Sequence, residues 1–404
     1  MSLGAMGLLA TLIPAKAQDT AWIATSGTWD SAANWDSGLP SATVEAFINN
    51  GGTAEAATGV SGTYLNLYMG ATSGGGGTLN ITGGDIVGVS NLITRLGSAA
   101  GSYGTVNVSA GSWTDSNHIM VGDSGTGVLN ISGGLVQTGI TDVGYSTGGQ
   151  GTVTVSGGTW NNSNSISIGG DTVGSLTLSG GKMTNGNNPV YSVQVGSFSG
   201  GKGTVTVTGG ATWESTGEFI VGYSGTGTVT IDNGTIQNTT GEIGFSSGNG
   251  TMIVTGETST WINTGNLTVG MGGDGNSLTL QDGGLTTVDG SLIYSSILFG
   301  SYIRLDGGYI ALLGNQVSNV ESLIAAGRFQ VWNGTAWVTS TNVNDFSFGY
   351  FATDVAAEDF SGREGLGNYT ILSNNAIPEP STWALVGLGA AFVAFRVMRR
   401  RRAV

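Results

Sequence analysis

The chain has 404 residues, 12 of them basic and 26 acidic, with a formal net charge of −14 and no cysteine. The lack of cysteine excludes disulfides, thiolate metal sites and thiol catalysis. Lys16 and five arginines near the C-terminus lie in terminal segments, as does Glu379, so the region between them holds 6 cations against 25 anions, or about −19; such a surface repels phosphate backbones and excludes nucleic acid as a partner.

Taken in chain order, the first signal is an apolar stretch from Ala5 to Ile13, broken by Pro14 and followed by Ala15-Lys16-Ala17. Ala15 and Ala17 flank an A-x-A cleavage site, so residues 1–17 are read as a signal peptide delivered to the Sec translocon. No basic segment precedes Ala5, and the translation start is expected upstream of Met1. Residues 18–66 lie outside the repeat that follows, and hold Trp22, Trp29 and Trp35. They read as an N-terminal cap laying aromatic rings over the first coil, with a carbohydrate-binding patch as the rival reading.

Glycine is the commonest residue, 74 in all, and its placement is periodic. Gly70, Gly97, Gly122, Gly144, Gly169, Gly196, Gly222, Gly244 and Gly270 each follow an aliphatic residue or methionine, at a mean spacing of 25. Beyond each comes a strand of period two, such as Val106/Val108, Val153/Val155, Leu176/Leu178 or Val205/Val207. Alternation sends these pairs to one face and Thr, Ser and Asn to the other. Corners such as Ser156-Gly157-Gly158 follow, and a further short strand such as Ile166/Ile168 leads into the next repeat. One such coil cannot bury its aliphatic row, but stacked coils can, because equivalents then lie about 4.8 Å apart. The expected fold is therefore all-β: a single-stranded parallel β-helix of about nine coils over residues 67–292, right-handed by its coil length, and capped at both ends.

A second periodicity follows the Gly-Gly corner: Ile86, Trp113, Val136, Trp160, Met183, Trp213, Ile236, Trp261 and Leu285. Tryptophan and aliphatic alternate. Two packings compete. Facing inward, the alternation relieves crowding between indoles on adjacent rungs; facing outward, Trp113, Trp160, Trp213 and Trp261 form a ladder, about 9.6 Å per step, for stacking sugar rings. The aliphatic residues in the intervening slots favour the inward packing.

Residues 293–376 are expected to close the stack. Ile303 to Gly308 repeats the strand-and-glycine form once more, and Val317, Val320, Leu323 and Ile324 fall at helical spacing before Gly327. Phe329 to Thr339 reads as a hairpin around Asn333-Gly334, and Thr353 to Ala376 as a mobile polar approach to the tail.

The tail, residues 377–404, has three parts in order: Pro378-Glu379-Pro380, an uncharged run from Trp383 to Phe395, and Arg399-Arg400-Arg401-Arg402. With Arg396 snorkelling, the run reaches about 16 residues, short of the roughly 20 of a typical membrane-spanning helix. The arginines place their end on the cytoplasmic side. These three parts resemble the PEP-CTERM sorting signal of Gram-negative bacteria. The resemblance implies a transmembrane helix that anchors the chain, recognition by an exosortase (a membrane-embedded cysteine transpeptidase), and cleavage near Pro378, Glu379 and Pro380. The segment from Thr20 to Asn50, with Ser26-Gly27-Thr28-Trp29 and Ala33-Asn34-Trp35, resembles the leading segment of secreted β-helical repeat proteins with such tails.

Catalysis by a β-helix needs carboxylates gathered on one face. Asp123, Asp171 and Asp274 sit in corner loops of non-adjacent coils, and the only cluster is Glu214, Glu218, Glu242 and Glu257. His118 is the only histidine and reads as a surface residue, which leaves no multi-histidine metal site. Gly272 to Leu278 partly matches a calcium-binding nonapeptide, but Ser277 stands where Asp is needed. The expectation is an exported, non-enzymatic scaffold or adhesin of the cell envelope or extracellular matrix, with no cofactor and with exopolysaccharide as its setting. The alternative is a polysaccharide-binding or polysaccharide-degrading β-helix delivered by the same route. An autotransporter-like passenger is weaker, since no run of amphipathic barrel strands follows Ser291.

Overall fold

A computed structural model describes residues 18–89, 93–186, 193–294, 300–352 and 366–374. The signal peptide with Ala15 and Ala17, most of the segment from Thr353 to Ala376, and the tail with Pro378, Glu379, Pro380 and Arg399 to Arg402 lie outside or largely outside these residues. Among the described residues no helix is long and apolar enough to cross a membrane.

The period-two segments form strands because alternate residues are apolar and the chain can add each coil to the one before. One coil runs through Gln150–Val155, Thr159–Asn162 and Ile166–Ile168, and the next through Val173–Leu178, Lys182–Asn185 and Val193–Val195. Each strand pairs in parallel with its equivalent: Val153 with Leu176, Trp160 with Met183, and Ile166 with Val193. Three files of strands result, with their inner side chains buried in one continuous core. The first file carries Ala54, Leu79, Val106, Leu129, Val153, Leu176, Val205, Val229, Met252, Leu278 and Ile303 in unbroken register. Burying each of these aliphatic side chains beyond alanine contributes about 1.5–3 kcal/mol.

The corner after the first strand requires glycine. Gly158 has φ of +68°, and a Cβ there would lie 2.7 Å from the carbonyl oxygen of Gly134 in the coil below. Outside the core, the polar face also stacks: Asn130 Nδ2 donates to Asn107 Oδ1 at 2.8 Å, and Asn107 Nδ2 to Asn80 Oδ1 at 2.9 Å.

The solenoid is longer than the glycine period implies, at about 12 turns. Residues 18–66 are not a separate cap. Thr20 pairs with Ala46, Ala46 with Leu67, Ser26 with Thr53 and Thr53 with Thr78, all in parallel, so this segment supplies the first coils. Its tryptophans do close the end: Trp35 packs edge-on against Trp22 and Trp29, each at 5.0 Å, and all three are buried. That burial removes the carbohydrate-patch reading of these rings. The small Ala54 and Ala56 in the same core leave room for the indoles.

At the other end the stack runs on through Tyr302–Asp306 and Tyr309–Leu313, as the repeat at Ile303 predicts. Helix α1, Val317–Ala325, buries Val320 and Ile324 in the core, and ends where Gly327 adopts φ of +65°. The hairpin forms as expected: Phe329–Trp332 pairs antiparallel with Trp337–Ser340, with Asn333 Oδ1 accepting from the amides of Thr335 and Ala336. The polar approach is corrected. Tyr369–Asn374 is a strand, antiparallel both to Tyr309–Leu313 and to Phe346–Phe351, with Ile371 and Leu372 buried. Antiparallel additions replace parallel ones at this end and cover the edge that another chain would otherwise extend.

Candidate functional site

Trp113, Trp160, Trp213 and Trp261 are all 0 % exposed. The outward sugar-stacking ladder is thereby corrected, because no ring presents a face to solvent. Each indole instead donates to a buried oxygen supplied by an earlier coil. Trp160 Nε1 reaches Thr138 Oγ1 at 2.9 Å, Trp213 reaches Asn185 Oδ1 at 2.6 Å, and Trp261 reaches Asn238 Oδ1 at 2.6 Å. The acceptor lies two residues after the aliphatic member of the column, Val136, Met183 or Ile236, a polar file that the sequence reading missed.

In the first pair Gly88 occupies the acceptor slot and has no side chain to offer. Tyr64, one coil earlier still, fills the space: its hydroxyl accepts from Trp113 Nε1 and donates to Asp115 Oδ2, both at 2.9 Å. Thr94 Oγ1 also donates to Asp115 Oδ2, at 2.6 Å. Burial pushes the Asp115 carboxyl up, against these hydrogen bonds.

The column's last member is corrected too. Trp261 pairs with Thr286, not with Leu285, which pairs with Thr260. A shift of one residue along a strand reverses the face. Leu285 therefore points outward, where it joins Ala311, Leu366 and Ile371 in a small cluster under the C-terminal strand.

The acids do not converge. Glu214 lies on Thr212–Ser215 and bonds Lys182 Nζ at 2.7 Å, whereas Glu218 and Glu242 lie on the third file, and Glu257 sits at a different corner beside Gly283. Burial, with Glu218 nearby, raises the Glu242 carboxyl to about 7. Asp123 binds Arg95 Nε at 2.9 Å and accepts from Ser146 Oγ at 2.8 Å. His118 lies at the surface, about a quarter exposed, with its Nε2 2.5 Å from Asp142 Oδ2. In the glycine-rich turn, Asn276 donates to the Gly272 carbonyl at 2.6 Å and Asn249 to that of Asp274 at 2.5 Å. Among the described residues no three His, Asp or Glu side chains gather to hold a metal ion.

Two grooves cross several coils. One, about 370 Å³, runs over the polar faces of Gln137, Asn161, Thr184 and Glu214. The other, about 320 Å³, has Asp142, Ser167 and Gln194 along its floor and Tyr145 and Phe198 at its wall. Neither aromatic belongs to the periodic columns, and each follows a corner glycine closely, which is the signal that could have found them.

Among the described residues these side chains do not gather into one cluster, and the family match lies at the other end of the chain. The family model for the PEP-CTERM protein-sorting motif matches residues 376–402. The chain carries a PEP-CTERM sorting signal. No curated protein and no solved structure matches the chain significantly. The PEP-CTERM motif implies an exported, membrane-anchored protein that is sorted and processed by an exosortase. The chain is thus a β-solenoid ectodomain followed by a PEP-CTERM tail.

Proposed function

We propose that this PEP-CTERM protein is a non-enzymatic scaffold or adhesin, translocated by the Sec machinery, held in the inner membrane by its tail helix and passed by exosortase processing to the outer envelope or an exopolysaccharide matrix. The observation that carries this reading is the unbroken register from Ala54 to Ile303, which among the described residues stacks like strands on like in every coil. The surface carboxylates support it, since Asp123, Asp142 and Glu214 are each engaged by a neighbouring Arg, His or Lys. A rod of about 12 turns, at roughly 4.8 Å per turn, presents a long, rigid and mainly polar surface.

The test has two readouts. The full chain is expressed with an exosortase, and its distribution among membrane, envelope and matrix is followed by immunoblotting; the purified chain is then incubated with acidic and neutral polysaccharides. Transfer out of the inner membrane without release of reducing ends or unsaturated uronates is expected. Release of either product would place the chain among the polysaccharide-degrading β-helices instead.

A further inference from the structure

We propose that the groove over Asp142, Ser167 and Gln194 binds a neutral sugar residue of a polysaccharide chain, stacked against Tyr145 and Phe198. The inference rests on the exported location argued above and adds a ligand class that the scaffold reading does not require.

The floor is an outward column of the third strand file. Met120, Asp142, Ser167, Gln194 and Ile220 pair in register, so one carboxylate, one hydroxyl and one amide project between two apolar neighbours at successive steps of about 4.8 Å. The wall is aromatic. Tyr145 is half-buried and Phe198 is 40 % exposed, with ring centroids 6.2 Å apart and planes inclined at 72°. These residues come from coils two apart, and the coil between them has Gly170 at the same corner. A Cβ on Gly170 would lie 2.8 Å from the Tyr145 carbonyl oxygen, so the backbone of the two coils packs closely at this corner. On its far side Tyr145 packs edge-on against His118, at 6.4 Å and 87°. That contact and the His118–Asp142 hydrogen bond fix the orientation of both the ring and the carboxylate.

This pairing of surfaces matches the two sides of a sugar ring. The axial C–H face is apolar and packs on an aromatic ring, while the equatorial hydroxyls need donors and acceptors at the rim, here Gln194, Ser165, Ser167 and Asp142. Charge selects further: the chain is at −14, and Asp142 stands in the groove, so a uronate would meet like charge. Phe198 is not part of the buried core, to which its coil contributes Val193 and Val195.

Native-gel affinity electrophoresis of the detergent-solubilised full chain tests the proposal, with hydroxyethyl cellulose, dextran or galactomannan in the gel and polygalacturonate as the anionic comparison. Retardation by at least one neutral polysaccharide and none by polygalacturonate is expected. Tyr145→Ala, Phe198→Ala and Gln194→Ala should each weaken the apparent affinity about three- to tenfold. Circular dichroism checks that each variant keeps the fold, and Gln194→Ala leaves the aromatic pair intact. Retardation by none of the neutral polysaccharides, retardation that survives the Tyr145/Phe198 double substitution, or binding of polygalacturonate alone would overturn the site. Each of those results leaves the sorting of the chain untouched, since sorting is read separately from location and cleavage.

Discussion

Trp213 and Asn185 face each other from adjacent coils, and the indole N–H of the first donates to the side-chain oxygen of the second at 2.6 Å in the dry interior. The relationship recurs in Trp261 with Asn238, and with threonine as acceptor in Trp160 with Thr138. It gives the alternation a physical cause: a coil with an aliphatic residue in the column, Val136, Met183 or Ile236, supplies the acceptor, and the next coil supplies the indole. The structural unit is therefore two coils, not one.

Substituting Asn185 by Ala strands the Trp213 indole N–H without a partner, at a cost of about 1–3 kcal/mol. Trp213→Phe should cost a similar amount by stranding Asn185. Urea denaturation of both single variants and the double variant checks the coupling, expected at about 0.5–3 kcal/mol. A coupling near zero would mean that the pair is mere proximity.

Truncating Trp160 or Trp261 to alanine leaves a cavity among stacked aliphatic side chains, and each should lower stability by about 3–5 kcal/mol. Sugar binding, by contrast, should not respond to Trp160→Phe, because that ring is fully buried. Thermal melts and affinity electrophoresis on the same samples separate the two effects.

Glu242 makes stability depend on pH. Its folded carboxyl lies at about 7 against an ordinary value of 4.5, so the folded state holds a proton that the unfolded state has already released, and stability falls as pH rises from about 4.5 to about 7. The group is only about half buried, so solvent screening limits the fall to about 1 kcal/mol. Glu242→Gln should flatten this part of the profile, and Glu218→Gln should reduce it by removing the nearby negative charge.

Replacing Pro378, Glu379 and Pro380 by alanine should leave an uncleaved chain in the membrane fraction. Immunoblotting of fractions and mass spectrometry of the mature C-terminus read this out. Unchanged cleavage and location would show that processing does not use these residues.

Leu372→Asp should detach the last antiparallel strand from Tyr309–Leu313, because it puts a charge at a fully buried position. The uncovered edge is then free to pair with another chain, and light scattering should report association.

The residues themselves dictated the coil. Each repeat carries its own glycine corners and alternating aliphatic pairs, and that local information is enough to predict inward files such as Val153, Leu176 and Val205, and a tail read from three consecutive motifs. The aliphatic residues between the tryptophans also marked their column as core, though its register slipped at Leu285, where Thr286 takes the inner slot. Only the tertiary structure decided where the stack begins and ends, since Thr20 with Ala46 and Leu372 with Ile310 are joined by backbone hydrogen bonds that leave no periodic trace in side-chain type. It alone also brought Tyr145 and Phe198 together, residues 53 apart in sequence, because their contact spans an intervening coil and so depends on how the corners stack. A repeat encodes what each coil repeats; contacts between unlike coils exist only once the chain is wound.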